Sequence, residues 1–334
     1  MNETIPDYIA ALPFFQDMFQ EKNYGYNTKL ELLAIILPEK YGIEIVECVP
    51  DGKVTYQILK SFLKSFQWRT KINKAIKIGK WLNDISEDNI ELKLTIIDSL
   101  LSVAPVYNHP FNIEFIVESF LDRKSMSELD AWWTPHLNKK YDDYNFNIYK
   151  RIVKWCWRIE RKFPLETKTR YLLGLTLSYF LSSSNRNFRD SATKGLTCIY
   201  LGHSDEFIDL MERMKNTKDE YILERIYAAA FGAIVYDKKN DQIKKLANFV
   251  INNFFNKSNV YPNILIRDYA RGIVEYAINC KVYETDEIED IKARITPPYK
   301  SAMPSEFPTN EDIQLLKSKY DKAYGFYNIT SSMD

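Results

Sequence analysis

Glycine is scarce in this sequence, with 10 in 334 residues, and histidine scarcer still, with three. The shortage of glycine agrees with the missing phosphate loop. No GxxxxGK[ST] run occurs, and Gly79-Lys80 in KIGKWLND lacks the upstream glycine such a loop needs. His109, His136 and His203 stand alone, without metal-ligand spacing, and His109 precedes Pro110 in what reads as a turn. No GxSxG, HExxH or EF-hand pattern is present. No cofactor is expected, and no catalytic role.

Charge of one sign is lacking too. Lys and Arg total 45, Asp and Glu total 45, and the net charge is zero. A dominant phosphate-backbone partner would call for a basic excess, so nucleic acid is not the expected partner, although a local basic patch is left open. Long apolar runs are absent. LLAIIL (residues 32–37) is far too short to cross a bilayer, and the N-terminus lacks the basic stretch and long apolar run of a signal peptide. The four cysteines, Cys48, Cys156, Cys198 and Cys280, are far apart without CxxC spacing. They read as reduced thiols, which predicts a cytoplasmic protein.

What is present is helical. Apolar residues make up 46%, aromatics 14%, and tyrosine alone contributes 23. Nearly every segment has the three- and four-residue apolar spacing of an amphipathic helix. KLTIIDSLLSVA lines up Leu94, Ile97, Leu100 and Leu101; EFIDLMERM lines up Phe207, Leu210, Met211 and Met214. Ser125 with Glu128, and Thr217 with Glu220, have capping-box spacing. GIEIVECV (residues 42–49) is the one alternating candidate for a strand. The pattern predicts an all-α chain of about fifteen helices joined by short loops. Residues 1–65 read as a helical segment leading in, 66–295 as HEAT-like repeats, 296–310 as a proline-rich extended linker, and 311–334 as a last helix with a tail.

A repeat supports that organisation. FRDSATKGL, LERIYAAAFG and IRDYARGIV each place an arginine three residues before an alanine. Arg189, Arg225 and Arg267 therefore recur at intervals of about 40 residues, the period of HEAT or armadillo helix pairs. Small residues would let neighbouring helices approach closely. Arg189, Asp190, Glu224, Arg225, Arg267 and Asp268 are read as a ladder of charged pairs that fixes the stacking, in preference to a catalytic or ligand-contacting set. Two aromatic clusters are separate from this. DAWWTPHL and VKWCWR hold four of the six tryptophans. Asp130, Trp132, Trp133, Trp155 and Trp157 are read either as core filling or as an exposed recognition patch.

The ordered motifs FQWR, NHPFN, SMSELDAWWTPHL, SSNRNFRDSATKGL, DEYILERIYAAAFG and LIRDYARGIVEYA resemble the C-terminal helical region of bacterial antiviral STAND ATPases, the Avs or AVAST anti-phage family. The resemblance covers about residues 30–334. It implies the sensor part of a larger protein, one that binds a phage protein such as the large terminase subunit or the portal and so drives oligomerisation. No ATPase or effector motif lies in this chain, which implies a fragment or a truncated relative. Two other readings stand beside this one. One is a nucleic-acid-binding or nucleic-acid-processing enzyme on a HEAT-like scaffold, with its groove near Asp130, Trp132, Trp133, Trp155 and Trp157. The other is a structural adaptor of a different assembly.

Overall fold

The computed structural model of the protein describes residues 27–49, 54–69, 72–122, 124–143, 147–158, 164–257, 259–300 and 309–320. Among them the chain is all-α: fifteen α-helices, a few short 3-10 and π turns, and no strand. Parts of the expected lead-in segment, the proline-rich linker and the C-terminal tail lie outside the described residues.

Five helices open the array: α1 (Asn27–Ile36), α2 (Tyr56–Ser65), α3 (Ala75–Ser86), α4 (Ile90–Leu100) and the single turn α5 (Ile113–Ile116). The longest helix, α6 (Met126–Asp142), follows, then α7 (Ile148–Arg158), α8 (Thr167–Phe180), α9 (Arg186–Ile199) and α10 (Phe207–Met214). The series ends with α11 (Glu220–Ile234), α12 (Asn240–Val250), α13 (Ile264–Asn279), α14 (Thr285–Ile295) and α15 (Asn310–Tyr320).

Polar side chains mark the starts of these helices. Ser125 and Glu128 form a reciprocal capping box at α6. Thr217 and Glu220 do not. Asp219 is the cap of α11, accepting from the amides of Tyr221 and Ile222, while Thr217 accepts from the Asp219 amide. A carboxylate two residues nearer the helix reaches both free amides of its first turn, so it displaces the hydroxyl. The alternating stretch at residues 42–49 also resolves differently from a strand. Ile45–Glu47 is a 3-10 turn, closed by a reciprocal box between Glu44 and Glu47. Ile43, Glu44 and Ile45 are all buried, so the alternation does not separate two faces.

From α7 onward the helices pack in two layers. In one layer α7 packs on α9, α9 on α11, and α11 on α13. In the other α8 packs on α10, and α10 on α12. Contacts between α8 and α9, α10 and α11, and α12 and α13 join the layers. The three sequence repeats land on α9, α11 and α13, successive members of one layer. Small residues sit at their crossings. A Cβ on Gly195 of α9 would come 3.3 Å from Cys156 Cβ of α7, one on Gly232 of α11 3.0 Å from Thr197 of α9, and one on Gly272 of α13 3.0 Å from Phe231 of α11. The apolar core continues between the layers from Leu30 to Ile295.

Residues 296–300 are not helical. They fold back on the array: Tyr299 packs beside Phe255, and the Val260 amide donates to the Lys300 carbonyl at 2.7 Å. The last helix begins at Asn310, one residue before the expected start.

Candidate functional site

Each helix carrying a repeat arginine begins with an Asn or Asp cap. Asn185 caps α9, Asp219 caps α11 and Asn263 caps α13. The distance from cap to arginine then decides what the guanidinium can reach. Arg189 and Arg267 lie four residues past their caps, and both turn back onto the entering loop. Arg189 Nη1 donates to the Ser183 carbonyl at 2.8 Å. Arg267 Nε donates to the Tyr261 carbonyl at 2.6 Å and Nη2 to that of Val260 at 3.1 Å. Each guanidinium also lies over a tyrosine ring further along the chain, Arg189 over Tyr221 at 4.2 Å and Arg267 over Tyr299 at 5.2 Å.

Arg225 lies six residues past its cap and points across the layer. Its Nη1 donates to Asp190 of α9 at 2.6 Å, and Nε sits 3.2 Å from the largely buried Glu224. Asp190 also meets Arg186 at 3.7 Å. Asp268 stays on its own helix, 3.7 Å from Arg271, and is well exposed. Of the six residues read as a ladder, Asp190 and Arg225 therefore pair between helices, with Glu224 beside them. Arg189 and Arg267 anchor loops and stack on tyrosines.

The aromatic residues do not form one patch. Trp133 is 1% exposed, donates from Nε1 to the Tyr179 carbonyl at 3.2 Å and stacks on His136. Trp132 is buried beside it, with Lys93 over its ring. Asp130 is exposed and accepts from the Thr134 hydroxyl at 3.0 Å. It lines a cavity of about 610 Å³ between α6, the end of α8 and the α10–α11 loop. The other carboxylates there, Asp122, Glu128 and Asp219, are engaged, Glu128 accepting from the Ser125 amide at 2.8 Å. Asp122 accepts from Tyr179 and Arg213, and Asp219 caps α11. Burial pushes the Asp219 carboxyl up, against the pull of the two helix amides.

Trp155 and Trp157 are 49% and 45% exposed, both on α7. The buried side of α7 is held by a polar knot that no sequence spacing marks. Asp98 of α4 accepts from His136 at 2.8 Å and from the Tyr149 hydroxyl at 2.6 Å, and meets Lys140 at 2.7 Å. Burial pushes the Asp98 carboxyl up, but its bonds to His136, Lys140 and Tyr149 outweigh this and hold it below the usual carboxylate range.

A second buried cluster unites two motifs far apart in sequence. Phe66 and Arg69 of FQWR meet His109 and Phe111 of NHPFN. Phe66 stacks on Phe111 at 5.1 Å, and Arg69 Nη1 reaches both oxygens of Glu44 at 3.0 and 2.8 Å. His109 Nδ1 accepts from the Phe111 amide at 3.1 Å, closing the turn. Burial, with the Arg69 charge beside it, pushes the His109 imidazole down to about 4. Among the described residues, no group of three or more His, Cys, Asp or Glu side chains is placed to hold a metal ion, and no helix is long and apolar enough to cross a membrane.

The edge formed by the starts of α11 and α13 is apolar and exposed. Ile264 is 77% exposed, and Tyr221, Tyr261 and Leu265 lie open beside it. Glu220 ties this edge together, accepting from the Tyr261 hydroxyl at 2.8 Å and from Asn263 at 3.2 Å. Compared with family models, curated proteins and solved structures, the chain has no match in any of the three.

Proposed function

We propose that this chain is a non-catalytic protein-binding module, the sensor or scaffold part of an anti-phage STAND protein. The observation that carries this reading is the exposed edge of Tyr221, Tyr261, Ile264 and Leu265. Tyrosine rings beside aliphatic side chains, framed by arginines, have the composition of protein-binding hot spots. An array of stacked helices offers such an edge as part of an extended surface. The chemistry points the same way. Asp190, Arg225, Arg189, Arg267 and Asp219 are engaged in caps, loop anchors and struts. The enzyme reading required Asp130 beside the open tryptophans, yet Asp130 lines a different cavity from Trp155 and Trp157. The partner proposed from the ordered motifs is a phage protein, the large terminase subunit or the portal.

The test is binding of the purified chain to each of those proteins, followed by calorimetry. Binding to one of them, weakened at least tenfold by Ile264→Glu with Leu265→Glu in a protein of unchanged circular dichroism, is the expected result. Binding to neither protein defeats the assignment of target. Binding that the two substitutions leave intact defeats the assignment of the edge.

A further inference from the structure

We propose that the exposed face of α7 binds single-stranded nucleic acid, on a surface separate from the α11–α13 edge. At 100° per residue, the exposed side chains of α7 fall in a fixed order around the helix. Trp157 comes first, then Lys150, half-buried and bonded to the Asp143 carbonyl, then Lys154, Arg158 and Arg151, and Trp155 last, within an arc of about 160°. Four cations are thus bracketed by two indoles. The buried residues Tyr149, Ile152, Val153 and Cys156 occupy the remaining arc. Residues 147–158 contain no Asp or Glu at all.

Some cations elsewhere in the fold are paired, as Lys140 is with Asp98 and Arg225 with Asp190; what distinguishes α7 is that its cations share one face. Among the described residues, Arg151, Arg158 and Lys194 meet no carboxylate within ion-pair distance. Lys194 of α9 lies over the Trp157 ring at 4.9 Å and adds a further positive charge. A chain of zero net charge therefore carries a concentrated positive surface.

The shape of that surface selects the ligand. Two open grooves flank α7. One, of about 970 Å³, contains Trp157 and Tyr141; the other, of about 540 Å³, contains Trp155 and Pro105. Lys154 and Arg158 line both. A strand laid across α7 places phosphates on this shared Lys–Arg ridge and a base in each groove. Base stacking on aromatic rings combined with a cationic track is how proteins hold single strands without reading sequence. A duplex keeps its bases stacked inside and uses only the cations. A peptide of acidic residues alone also uses only the cations and has no ring to lay on the indoles.

The test uses the full chain with fluorescein-labelled oligo-dT and oligo-U, read by anisotropy and by quenching of tryptophan emission at about 50 mM salt. Binding of at least one oligonucleotide, accompanied by quenching, is expected. Four or five phosphate contacts give a log–log salt slope of about −3. Trp155→Ala and Trp157→Ala should each weaken binding roughly 5- to 100-fold, as loss of one stacked base does. Lys154→Glu with Arg158→Glu should remove binding and leave the circular dichroism unchanged. The relative response to the two oligonucleotides separates DNA from RNA as the source. No anisotropy change at low salt overturns the proposal. So does equal binding of duplex DNA or of poly-glutamate of matched charge, and so does binding that survives both tryptophan substitutions.

Discussion

Arg189 and Arg225 occupy the same place in an aligned repeat, and the fold uses them in opposite directions. The difference comes from the cap. Four residues past Asn185 the side chain rises back toward the entering loop; six residues past Asp219 it faces the neighbouring helix. The aligned letters showed that an arginine belongs there but not which way it points, because the caps are offset from the repeat by two residues. The energetics follow from exposure. Arg189 is largely buried, and its loss strands the Ser183 carbonyl, so Arg189→Ala should cost about 1–3 kcal/mol in urea unfolding. The Asp190–Arg225 pair is part-exposed and screened by solvent, so a double-mutant cycle should return a coupling of about 0.5–1 kcal/mol. A larger coupling for Asp190–Arg225 than the whole cost of Arg189→Ala would reverse this ranking.

His109 supports a second prediction at the same scale. Its folded value of about 4 lies below the ordinary 6.5, so between those limits the unfolded chain takes a proton that the folded chain refuses. Stability should therefore fall as the pH drops from 6.5 toward 4. The Glu44 carboxyl, pushed up by burial against the pull of Arg69, acts in the opposite sense. Comparison with a variant that retains Glu44 isolates the histidine. His109→Asn keeps an acceptor for the Phe111 amide and should flatten the fall by about 1–3 kcal/mol, read as melting temperature across that range. Parallel melting curves for the two proteins would contradict the assignment. In the sequence His109 was legible as a turn residue through its proline. Its burial against Phe66 and Arg69 was not, since that contact spans some 40 residues and leaves no local pattern.

At the scale of the element, period and position separate what the sequence conveys from what it hides. The amphipathic helices were legible because each buries one stripe against a neighbour, as Phe207, Leu210, Met211 and Met214 do. Residues 42–49 misled because Glu44 is buried there along with its neighbours Ile43 and Ile45, held by its bond to Arg69. The tryptophans divided for a similar reason. Trp132 and Trp133 are adjacent, yet both fit inward, Trp133 against the end of α8 and Trp132 under Lys93, whereas Trp155 and Trp157 lie at the two edges of an exposed arc. The helix crossings give a prediction with a decisive sign. Leucine is a better helix former than glycine by up to ~1 kcal/mol, so at an open position Gly232→Leu would stabilise α11. Here the added Cβ would approach Thr197 to 3.0 Å and the rest of the side chain has to displace α9. Overpacking of this kind costs about 1–3 kcal/mol, and a lowered melting temperature is the expected outcome. An unchanged or raised one would mean that α9 and α11 are not held in close contact at that point.

At the scale of the whole molecule, the all-α class was legible, because it is a sum of local patterns. The layering was only partly so. The intervals between Arg189, Arg225 and Arg267 identified successive members of one layer, and α9, α11 and α13 do touch in that order. The first half of the chain shows no such repeat in its letters, and its helices are joined through specific knots: Glu44 with Arg69, and Asp98 with His136, Lys140 and Tyr149. Those knots depend on single residues distant in sequence, which periodicity does not register.

The chain of contacts from α7 through α9 and α11 to α13 runs in series, with a small residue at every crossing. The α7 face and the α11–α13 edge therefore lie on one series of helices, and what links them passes through the close crossings at Gly195, Gly232 and Gly272.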